Sequence, residues 1–60
     1  MNMKILGITR QTNPDQEDFD RVKEDLIKNG VDIKDIYLPF EIFDEEAGEF
    51  SFGFFVRVAK

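Results

Sequence analysis

The 60-residue chain contains no cysteine, no histidine and no tryptophan, and a single serine, Ser51. Each absence removes a class of chemistry. Without cysteine there are no disulfides, no thiolate metal ligands and no thiol nucleophile. Without histidine the commonest general base and the commonest zinc ligand are missing. Ser51 has neither His nor Cys to activate it, so nucleophilic catalysis lacks its parts. The expectation is a protein that is not an enzyme and carries no cofactor or metal.

Long hydrophobic runs are also missing. The apolar stretch "ILGI" after Lys4 is far shorter than a signal peptide's apolar segment, and no run approaches the length of a membrane span. A cysteine-free chain without such segments is expected in the cytoplasm. Positive charge is the minority sign, with eight Lys and Arg against thirteen Asp and Glu, a net charge of −5. Nucleic-acid backbones are bound by Lys and Arg displacing counterions, so direct nucleic-acid binding is not expected. Attraction to basic surfaces is.

Length sets a further limit. The chain has room for one domain, residues 1–60. A chain of this size buries only about 60% of the surface its unfolded form exposes. Small cores seldom supply more than about 3–5 kcal/mol, and disulfides, metals or a second subunit usually add to them. Composition leaves the second subunit.

What is present is clearly patterned. "MKILGITR" (Met3 to Arg10) is short and β-prone, with apolar residues at both parities, as in a strand covered on both sides. "TNPDQEDF" then reads as a helix start, with Asn13 at the N-cap, Pro14 at N1 and Gln16 completing a capping box. Asp15, Glu17 and Asp18 suit the positive end of the helix dipole. Phe19, Val22, Leu26 and Ile27 recur at helical spacing, and Asn29-Gly30 supplies the stop. The predicted helix spans Pro14–Asn29.

From Val31 the period becomes two. Ile36, Leu38, Phe40 and Ile42 share one parity, and Tyr37, Glu41 and Phe43 the other. Pro39 marks an edge or a bend. "DEEAGE" is a polar turn, and Phe50, Phe52, Phe54, Val56 and Val58 then alternate strictly with Ser51, Gly53, Phe55 and Arg57. Two alternating runs about a glycine-containing loop predict a C-terminal hairpin. Gly53 suggests a bulge or close backbone contact. The expected fold is α+β, in β-α-β-β order, with one helix on a three-stranded mixed sheet whose last strand is central.

Counting apolar side chains points to a partner. The hairpin's strong parity offers nine, the first strand about two, and the helix only four in return. Tyr37, Phe43 and Phe55 fall on the other parity, where no further element remains to cover them. An uncovered aromatic patch of this kind marks an interface, and a second copy of the chain is the commonest partner. The expected function is a small acidic interaction domain that forms a homodimer, or meets another protein, through Tyr37, Phe43 and Phe55.

A second reading comes from the acids. Glu17, Asp20 and Glu24 on the helix, with Asp44, Glu45 and Glu46 in the turn, form an acidic surface. Such a surface can imitate a nucleic-acid backbone and inhibit a DNA- or RNA-binding protein. The turn acids lack a calcium-loop pattern. Arg10, at the strand–helix junction, is the only base there that could hold a phosphate.

Overall fold

The computed structural model describes residues 2–58. Strand β1 (Asn2–Gln11) is followed by helix α1 (Gln16–Lys28), a 3-10 turn (Ile33–Asp35), strand β2 (Ile36–Asp44) and strand β3 (Glu49–Val58). The three strands form one sheet in the order β1-β3-β2. Both neighbour pairs run antiparallel. The sheet is therefore antiparallel throughout, not mixed. β1 and β2 are parallel to each other, but β3 lies between them, so no parallel ladder forms.

The helix begins two residues later than its proline suggests. Asp15, not Asn13, is the N-cap. Its carboxylate accepts the Asp18 N–H at 3.2 Å, and the Asp18 carboxylate accepts the Asp15 N–H at 3.0 Å. This reciprocal Asp-x-x-Asp box satisfies two end donors at once, whereas Gln16 donates onward to Asp20 instead. Asp18 is further held by Gln11 Nε2 at 2.7 Å and Arg21 Nη1 at 3.1 Å. The Gln11 contact ties the end of β1 to the start of α1. Although buried, Asp18 keeps its carboxyl below its ordinary pKa, chiefly through the Asp15 backbone N–H, with Gln11, Asp15 and Arg21 adding to the effect against the cost of burial.

The helix ends as its sequence implies. Gly30 takes φ +98°, its N–H reaches Ile27 O, and the Val31 N–H reaches Leu26 O. These are the two bonds of a Schellman cap.

Val22 and Leu26 from α1 pack on Ile36, Phe52, Phe54 and Val56, with Leu6, Phe19, Val31 and Val58 partly buried around them. Phe19 lies against Phe52 with ring centroids 4.8 Å apart, and edge-on to Phe54 at 6.2 Å. Phe52 is fully buried. Burying a side chain of this size contributes about 1.5–3 kcal/mol. Even-numbered residues of β3 thus face the helix and odd-numbered ones face away.

Two glycines allow this packing. Gly7 sits in the β1 irregularity between Leu6 and Thr9 at φ +73°, and a Cβ there would lie 2.7 Å from Val22 Cγ1. Across the ladder, a Cβ on Gly53 would lie 2.6 Å from the Leu6 carbonyl oxygen. Gly53 is therefore a point of close backbone approach, and the irregularity belongs to the strand opposite.

Candidate interaction surface

Residues directly opposite one another in an antiparallel pair share a face, so the ladder decides which side chains the helix leaves open. Ile36 pairs with Val56 and faces the helix. The register then shifts, and Pro39 pairs with Phe54, Glu41 with Phe52 and Phe43 with Phe50. All of these lie on the helix side. Phe40 pairs with Gly53 and Ile42 with Ser51, which puts both on the far side, with Leu38.

This reverses the expected assignment of β2. An irregularity at Tyr37–Leu38 switches parity, so Leu38, Phe40 and Ile42 leave the core and Phe43 joins the helix side. Tyr37 borders a groove beside the helix with Phe19, Pro39 and Phe54. Phe43 packs against Phe50 with tilted rings, centroids 4.8 Å apart, at the hairpin end of that side. Among the three aromatic residues expected at an interface, the structure leaves Phe55 alone on the far side and separates Tyr37 and Phe43 from it.

The far side is more apolar than its aromatic residues alone imply. From β1 come Met3 and Ile5, opposite Arg57 and Phe55, and Ile8, which alternates with the helix-facing Thr9. All three are exposed. From β2 come Leu38 and Ile42, 68% and 58% exposed, and the half-buried Phe40. In the centre Phe40 meets Phe55 edge-on, with centroids 5.8 Å apart at 90°, a favoured aromatic geometry. None of α1 lies on this side. β1 is thus open where strand coverage on both faces was expected.

Charged residues bound the patch at both ends. At the hairpin end Arg10 spans the sheet from β1, over the small Ser51, to Asp44 at 3.3 Å and Glu49 at 3.4 Å. At the other end Arg57 binds Asp35 at 2.9 Å. Arg10 is thereby committed to carboxylates rather than to an anion at the strand–helix junction. An apolar centre within a polar rim is the common layout of protein interfaces.

The acidic residues are placed differently. Glu17, Asp20 and Glu24 are exposed on α1, and Glu45 and Glu46 are exposed in the hairpin turn. Asp44 accepts the Glu46 and Ala47 N–H groups and pairs with Arg10. Its role is to close the turn. No group of three or more Asp, Glu, His or Cys side chains is placed to hold a metal among the described residues. No helix among them is long and apolar enough to cross a membrane.

No family model, curated protein or solved structure matches this chain.

Proposed function

We propose that this β-α-β-β chain, closed by its C-terminal hairpin, is a small non-enzymatic cytoplasmic interaction domain that pairs with a second copy of itself through the open side of its sheet. The observation that carries the reading is the continuous patch formed by Met3, Ile5, Ile8, Leu38, Phe40, Ile42 and Phe55, with an arginine ion pair at each end. Monomeric proteins rarely expose contiguous apolar areas beyond a few hundred Å².

Dimensions favour a second copy. The molecule measures 35 × 22 × 15 Å, so its broad side is of the same order as the roughly 800 Å² per partner in a stable complex. Each rim carries both signs of charge, so it can meet its own copy without bringing like charges together. Two such sheets would stack about 10 Å apart, with the interface replacing the layer a second helix would have supplied.

Light scattering after size exclusion, over a range of concentrations, tests this directly. The expected result is a dimer that Phe55→Asp and Phe40→Asp each convert to monomer while far-ultraviolet circular dichroism stays folded. Phe43→Asp, on the helix side, should remain dimeric. A parent protein that is monomeric at every concentration would end the proposal.

A further inference from the structure

The opposite side of the sheet holds a second feature. α1 packs mainly over β1 and β3, and beyond the buried Ile36 it leaves the helix-facing side of β2 open. The result is a groove of about 380 Å³ between α1 and β2, lined by Phe19, Asp20, Lys23, Tyr37, Glu41 and Phe54, with Gln16 and Pro39 completing it.

Its chemistry is graded from end to end. α1 runs back along β1, as Val22 and Leu26 over Gly7 and the Gln11–Asp18 bond show. β2 runs parallel to β1. The start of the helix therefore lies beside the end of β2, which puts Asp20 and Glu41 at one end and Lys23 and Tyr37 at the other. Phe54 and Pro39 form an apolar floor between them, and Phe19 the wall. Residues two apart on a regular strand are about 6.6 Å apart, so Pro39 to Glu41 spans about 6.6 Å, and Tyr37, across the irregularity, extends the groove to the length of a few extended residues. Glu41 makes no ion pair or side-chain hydrogen bond among the described residues. Among the described residues the Asp20 carboxylate accepts only from the neutral Gln16 amide.

We infer that this groove binds an arginine side chain presented by an extended peptide segment. The guanidinium takes Asp20 and Glu41 as two carboxylate acceptors, and its aliphatic stem lies along Phe54, Pro39 and Phe19. Lys23 repels a second cation and so orients the ligand with its positive head toward the helix start. The net charge of −5 favours approach of a basic segment. The groove lies on the helix side, so pairing of the open sides leaves it accessible. The inference therefore stands or falls independently of the dimer.

The test is an NMR titration of the full chain with acetyl-Gly-Arg-Gly-amide, alongside the same peptide with norleucine in place of arginine. Saturable shifts at Phe54, Tyr37 and Glu41 with the arginine peptide, weakened by salt, are expected. Glu41→Gln and Asp20→Asn should each weaken binding about tenfold. Both positions are exposed, so the fold should not change. Absence of saturable shifts would overturn the inference. So would equal binding of the norleucine peptide, or binding unchanged in the double variant.

Discussion

Three glycines with a similar sequence appearance have different structural reasons, and substitution separates them. Gly53→Ala forces a methyl against the Leu6 carbonyl. The obstacle is backbone and cannot swing aside, so a loss of about 1–3 kcal/mol is expected. Gly7→Ala combines positive φ with a clash against Val22, and should cost at least as much. Gly30→Ala meets nothing within 4 Å and should cost about 1 kcal/mol through its positive φ alone. Urea unfolding midpoints of the three variants check this ranking. Asp18 couples stability to pH. Its carboxyl is held below the ordinary value of 3.8. Its contribution is present in full above that value and is lost as pH falls through the lower, folded one. Acid unfolding of the parent should include this loss. Asp18→Asn should lower stability near neutrality and flatten the pH dependence below about pH 4, as read by urea midpoints at successive pH values.

At the scale of elements, the helix was legible except for its first turn. "NPDQED" contains two overlapping capping patterns, Asn13 with Gln16 and Asp15 with Asp18. Local spacing does not rank them. The ranking comes from the partners of Asp18: Arg21 one turn along the same helix, and Gln11, which reaches it only once β1 is folded beside α1. Asp15→Ala should therefore cost about 0.5–2 kcal/mol, the usual loss on removing a cap. Asn13→Ala should be close to neutral, and thermal unfolding distinguishes the two. β3 was legible as a central strand because its alternation is unbroken. β2 misleads because Ile36, Leu38, Phe40 and Ile42 look like one face. The irregularity before Pro39 switches sides, and Pro39 signalled a disturbance without its direction. The apolar residues of β1 occupy both parities, a pattern that implies cover on both sides. Those at Met3, Ile5 and Ile8 instead join the open patch.

At the scale of the whole molecule, one sheet and one helix make two layers within a 15 Å thickness. One helix cannot cover both faces of a sheet, and this is why a surplus of apolar residues implies an open surface even though the β2 residues from Tyr37 to Phe43 fall on the opposite sides from those their alternation suggests. The proposed dimer should respond weakly to salt. Its centre is apolar, and its rim ion pairs are partly exposed and individually worth little. The measured mass should thus stay constant from low to high salt. Pairing of the acidic surface with a basic partner would instead weaken steeply as salt rises.

Phe54 and Phe55 are consecutive residues of the central strand, yet one faces the helix and the other the open side. Along β3 two sets of positions are thus interleaved. Even positions face the chain's own interior and odd positions face the open side, Gly53 being held besides by the Leu6 carbonyl. If these sites were followed through divergence, substitutions at Phe52, Phe54 and Val56 would have to be matched within the same chain. Phe55 would have to suit both Phe40 beside it and any surface that met the open side, while Arg57 would stay tied to Asp35 within the chain.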